Sequence, residues 1–148
     1  MALFYPEAGF HFSVVFELFP QLPNDFRFQE VSGLTATVQT EELKEGGENR
    51  FTHKLPSRTT YENLVLKRGL FVGSFIIQWC REAIEDLNFA PTNVIVTLLN
   101  DMHLPVAAWY VVNAFPVKWS ISGFNAEQSA VVIETLEFEY NYFRTIRI

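Results

Sequence analysis

The residues of this chain that could do chemistry are few: three histidines, one cysteine, and scattered serines and acids. A zinc site would need His11, His53 and His103 to converge from three separate elements, and no i,i+4 histidine pair or C-x-x-C supports that. They read as surface or strand-face histidines. Cys80 falls in the apolar stripe of a predicted helix, whereas a reactive thiolate wants exposure and positive neighbours. Ser57, His53 and Asp101 can be drawn as a triad, yet no nucleophile-elbow pattern surrounds any serine. Residues 45–49 have the glycines of a phosphate loop but no Lys-Ser/Thr at Walker spacing, and Glu45 and Glu48 would repel phosphate. No catalytic, metal-binding or cofactor-binding residue is expected, and the chain does not read as an enzyme.

Length and composition narrow the class. The 148 residues suit one domain, residues 1–148, with a core of its own. Hydrophobic residues make up 49% and Phe alone occurs 15 times, rich enough for a chain of this size to expect apolar surface covered by neighbours. A net charge of −6 without Lys/Arg clusters argues against specific nucleic-acid binding. A single cysteine rules out an intrachain disulfide and fits synthesis in a reducing compartment. The N-terminus lacks a basic region followed by an apolar run, so the expectation is cytoplasmic synthesis without a signal peptide. No run of about 18 apolar residues suggests a membrane span.

The elements that must carry these residues are mostly strands. Residues 9–18 alternate, with Phe10, Phe12, Val14, Phe16 and Leu18 on one face. A short strand is expected at 26–31, and a polar one at 35–43. Residues 61–67 resume as a strand, with Leu64, Leu66 and Arg68 on the face opposite Tyr61 and Val65. The one predicted helix runs from Ser74, a good N-cap, to 86 or 87. Ile76, Trp79, Cys80, Ala83 and Ile84 form its inward stripe. Residues 92–99 and 106–114 read as an antiparallel pair, the first apolar on both faces and so central, with Pro116 bending the second. Residues 120–128 read as a polar loop. Residues 130–142 read as one long strand, with Val132, Leu136, Phe138 and Tyr140 inward and Glu134, Glu137 and Glu139 as a wet face. The fold class is mainly β: a two-sheet antiparallel barrel or sandwich with one packed helix. Between its early strands lies a long loop, 43–56, opened by Gly46-Gly47 and closed by Pro56, too charged to pack on its own domain.

Residues 46–56 (GGENRFTHKLP) and 61–69 (YENLVLKRG) resemble the tail tube proteins of contractile phage tails, and more closely the tube or tube-initiator subunits of phage-like extracellular contractile injection systems. Residues 28–34, 108–119 and 130–140 agree, in the family's order. The aromatic N-terminus is longer than a plain repeating subunit would need, which leans toward a tube initiator. The resemblance implies a structural protein that forms homo-hexameric rings whose strands join into one continuous barrel with a lumen. Adjacent rings, the baseplate and the surrounding sheath are the implied partners, in a particle that can be released from the cell. It implies that Lys44, Glu45, Gly46, Gly47, Glu48, Asn49 and Arg50 form an inter-subunit loop. It also implies that the polar strand faces, Thr35, Thr37, Gln39 and Glu41 with Thr135, Glu137 and Glu139, line an acidic lumen. The alternative is a monomeric β-sandwich that binds a carbohydrate or peptide; a tube subunit would form rings or stacks in solution, and such a module would stay single.

Overall fold

The structure, a computed structural model, describes residues 11–18, 27–43, 46–47, 50, 52–69, 74–123 and 132–146. Its elements in chain order are β1 (His11–Phe16), β2 (Arg27–Phe28), β3 (Glu30–Ser32), β4 (Ala36–Leu43), β5 (His53–Tyr61), β6 (Leu64–Gly69), α1 (Phe75–Asp86), β7 (Thr92–Leu99), β8 (Pro105–Ile121), β9 (Ile133–Glu139) and β10 (Tyr142–Ile146). All pairings are antiparallel.

The main sheet runs in the order β2-β1-β7-β8-β9-β6-β3, with β10 also on β8. It folds over itself at β8, whose first half pairs with β7 and β10 and whose second half pairs with β9. The bend sits where the proline was expected to act: the register slips between Pro116 and Lys118, as a bulge does when it redirects a strand. At the other end of the path, β2 and β3 are separated only by Gln29, whose N–H donates to the Lys67 carbonyl at 2.9 Å. The two layers are therefore joined by one bent segment, and among the described residues the ladder stays open. This is a sandwich, not a closed barrel. β7 lies between β1 and β8, with Val94 and Val96 buried on one face and Ile95, Thr97 and Leu99 half-buried on the other.

The core fills the fold between the layers. Val14 and Phe16, Leu64 and Leu66, Val94 and Val96, Val111 and Ala114, and Leu136 and Phe138 are buried in one cluster with the helix residues Ile76, Trp79 and Cys80. Alternate positions of a strand supply these pairs, except in β8, where Val111 and Ala114 stand three apart across the irregularity at Asn113 (φ 55°). Trp79 stacks on Phe138 with centroids 5.8 Å apart and meets Phe16 edge-on at 5.5 Å, so a single indole ties the helix to both layers. Its Nε1–H donates to the Ala90 carbonyl at 3.0 Å.

The helix begins as predicted. Ser74 Oγ accepts from the N–H groups of Ile76 and Ile77, a cap worth about 1 kcal/mol. It ends without needing Pro91: Leu87 takes a left-handed conformation (φ 54°) and the Asn88 N–H returns to the Glu82 carbonyl, closing off the last carbonyls. Ala83 is buried, but Ile84 is 38% exposed, which corrects its assignment to the inward stripe. At about 100° per residue, Ile84 lies beyond Ala83 at the stripe's margin, where the sheet no longer reaches.

Several strand limits also differ from expectation. The expected loop 43–56 is strand at both ends, because β5 starts at His53 and pairs with β4 through Pro56. A proline is tolerated there because it lies on a free-standing ribbon next to a bulge. Residues 61–67 split between β5 and β6. β8 continues through Ser120 and Ile121, into the expected polar loop. The last strand breaks at Tyr140-Asn141, so that β9 serves one layer and β10 the other.

Candidate functional site

The surfaces available for work are of two kinds, a projecting ribbon and a polar sheet face. β4 and β5 form a separate two-stranded sheet in which every residue except Tyr61 is exposed. Val38, Leu43 and Leu55 are about half exposed on it. An isolated two-stranded ribbon is marginal in water, so this one calls for a partner surface. Its root is tightly built. Gly33 adopts φ 88°, and a Cβ there would come within 1.8 Å of the Asn63 carbonyl oxygen, so only glycine lets the two ends of the ribbon cross. The Glu62 N–H donates to the Thr35 carbonyl at 3.2 Å, and the Tyr140 hydroxyl to the Gly33 carbonyl at 3.2 Å. Burial pushes the Tyr140 phenol up to about 12, with Tyr61 and Glu62 adding to the shift, so it remains a donor.

Of the expected inter-subunit loop, Gly46 and Gly47 form the turn at the ribbon tip, with Gly47 at φ 92° and open space around both, and Arg50 is exposed beside them. Lys44, Glu45, Glu48 and Asn49 lie outside the described residues. Thr35, Thr37, Gln39 and Glu41 are all exposed; Thr35 precedes β4, and the other three fall on alternate positions along it. Thr135, Glu137 and Glu139 sit on β9 opposite the buried Leu136 and Phe138. The two sets belong to different sheets within one subunit.

Register adds lysines to the second set. One row across the sheet reads Lys118, Glu137, Val65, Ser32, and the next reads Ser120, Thr135, Lys67, Glu30. Lys67 and Glu30 approach to 3.7 Å, both well exposed. The face is thus mixed in charge, where the sequence suggested hydroxyls, amides and carboxylates alone.

Glu134 is the main correction. Expected on the wet face, it is 1% exposed. Its Oε2 accepts from Arg68 Nε at 3.2 Å and its Oε1 from Trp119 Nε1 at 3.0 Å. Arg68, 3% exposed, also donates to the capping oxygen of Ser74 at 2.9 Å and lies 4.8 Å above the Phe28 ring. Two charges withdrawn from water persist only when paired and hydrogen-bonded, and this pair joins β6, β8, β9 and the start of α1.

The chemical candidates resolve quietly. Burial pushes the Cys80 thiol up to about 12, with Glu134 adding to the shift, so no thiolate forms. Ser57 donates to the Gln39 carbonyl within the ribbon, while Asp101 belongs to the β7–β8 turn. His11 and His103, far apart in sequence, meet at 3.0 Å. Among the described residues no group of three or more His, Cys, Asp or Glu side chains gathers, and no helix is long and apolar enough to cross a membrane.

The family of the T4-like virus tail tube protein gp19 matches residues 8–144, nearly the whole chain. The chain belongs to that family. A chain of the anti-feeding prophage (AFP) baseplate, determined with six-fold symmetrisation, is 31% identical and superposes with a TM-score of 0.79 over 96% of both chains. A chain of the extended sheath–tube complex of the extracellular contractile injection system PVC is 23% identical, TM-score 0.77, over 99% of this chain and 95% of that one. Hcp1 from Flavobacterium johnsoniae shares the fold at 11% identity, TM-score 0.54, over 91% and 94%. No curated protein sequence matches. This tail tube protein is therefore a structural subunit.

Proposed function

We propose that this tail tube protein assembles as a homo-hexameric ring of the inner tube of a contractile tail or injection system, a stiff conduit for cargo. The ring is the one that initiates the tube on the baseplate. The observation that carries this reading is the β4–β5 ribbon, apolar in part and exposed on both faces, which a neighbouring subunit would cover. Six-fold symmetry in the 31%-identical baseplate relative supports the ring size, and the lower identity to the sheath–tube chain supports the initiating position. Free sheet edges pairing with both neighbours would close the ring and leave no edge exposed. Thr135, Glu137 and Glu139, with Thr35, Thr37, Gln39 and Glu41, then face the lumen, and residues 44–50 meet the next subunit. The partners are adjacent tube rings, the baseplate and the sheath, and the particle acts outside the cell that makes it. The role needs no catalysis and no cofactor.

Light scattering on the purified chain tests the reading. The expected result is a six-subunit ring or stacks of rings, and cryo-microscopy of the intact particle should place this chain where tube meets baseplate. A chain that stays monomeric at all concentrations, alone and with its baseplate, would favour the binding-module alternative.

A further inference from the structure

We propose that Tyr61, Tyr140 and Phe143 form an aromatic latch that fixes the direction of the β4–β5 ribbon before any partner binds. The inference rests on the reading above only for what the ribbon is for; the latch itself is a property of one subunit. Tyr61 is the last residue of β5 and, among the described residues of the ribbon, the only one that is not exposed. Its ring meets Phe143 edge-on with centroids 5.3 Å apart and Tyr140 at 5.9 Å, and those two rings lie 6.2 Å from each other.

The three rings come from three different places in the fold. Tyr61 belongs to the ribbon. Tyr140 sits at the break between β9 and β10, and Phe143 on β10, which pairs with β8. A ribbon leaving the body through two single strands, at Gly33 and at Asn63, would otherwise swing about those points. The Tyr140 hydroxyl on the Gly33 carbonyl pins one of them, and its ring holds Tyr61 beside the other. One side chain thus ties both exits to the break between the layers.

The consequence for assembly is pre-organisation. An arm already pointing at its partner loses less freedom on docking than one that must be captured from many directions. Ring contacts of this kind favour the latched direction by roughly one to two orders of magnitude in population.

The test uses the unassembled full-length chain in three forms: wild type, Tyr61→Ala and Tyr61→Phe. Spin labels at Arg58→Cys on the ribbon and Glu85→Cys on the helix report the ribbon's direction; Cys80 is buried and stays unlabelled. A single narrow distance distribution is expected for the wild type and for Tyr61→Phe, and a broad one for Tyr61→Ala. The Glu62 amide should exchange about tenfold faster in Tyr61→Ala, while the Leu66 and Val96 amides keep their protection. A narrow distribution in Tyr61→Ala overturns the latch. So does lost protection at Leu66, which would make Tyr61 an ordinary fold residue. If the arm is freed but rings form at an unchanged rate, the latch stands and the ribbon's role between subunits falls.

Discussion

β6 with β9, and β4 with β5, are both antiparallel pairs of similar length, and they could hardly be less alike in what holds them. The first buries Leu64, Leu66, Leu136 and Phe138 on one face and ends on the Arg68–Glu134 pair, in direct register. The second buries nothing of its own beyond Tyr61. Its ladder runs the length of both strands with one bulge, where a hydroxyl bond from Ser57 to the Gln39 carbonyl adds to it, yet backbone pairing in water gives little net stability, because water competes for every donor and acceptor. The contrast separates two tasks. The first pair is stabilised within the subunit and defines its fold. The second leaves its side chains exposed, and only its root is packed against the body.

The sharpest way to break the first region is to leave one buried charge alone. Glu134→Ala strands Arg68 and removes the acceptor of Trp119, and should cost about 3–5 kcal/mol in denaturant unfolding. Arg68→Met with Glu134→Leu should recover most of that loss, since neither charge is then left unpaired. A double variant as unstable as the single one would mean that the ion pair adds more than it costs to bury. The helix offers a graded contrast. Trp79→Ala removes the ring that bridges both layers and should cost about 3–5 kcal/mol, whereas Ile84→Ala, at the exposed margin, should cost less than about 1 kcal/mol. Equal losses at the two positions would restore Ile84 to the core.

Much of the first region was legible in the sequence. The helix, its Ser74 cap and four of the five residues of its stripe follow from spacing and propensity, and the apolar run of β7 marked it as central. Glu134 was legible too and was misassigned. It shares parity with Leu136 and Phe138, and Arg68 shares parity with Leu64 and Leu66, so alternation sends both inward; charge alone argued for the wet face. The folding-over at β8 was visible only as a proline, because which layer each half of a strand joins depends on partners far away in sequence. β5 was hidden for the opposite reason. Its Pro56 and its charges look like a loop, and nothing in its own residues says that a strand can stand clear of the body.

The smallest effect on stability, and the most direct on role, concerns the polar face of the main sheet. Glu137 stands opposite Lys118 on one side and Val65 on the other, and Glu139 stands opposite Phe115. Glu137→Lys with Glu139→Lys therefore sets two lysines face to face across β8 and β9. Like charges in direct register destabilise by about 0.2–1 kcal/mol, too little to unfold a subunit whose core they do not touch. The charge change is large by comparison: the rows would carry Lys67, Lys118 and two new lysines against Glu30 alone. Polyanions should then be retained by the assembled variant at low salt and released as salt screens the face, while the wild type, mixed in sign, should retain little. Retention that is equal in the two proteins would show that this face is not the one the cargo meets. A variant that fails to fold would show that Glu137 holds the sheet together through Lys118, and that its place in the row is structural.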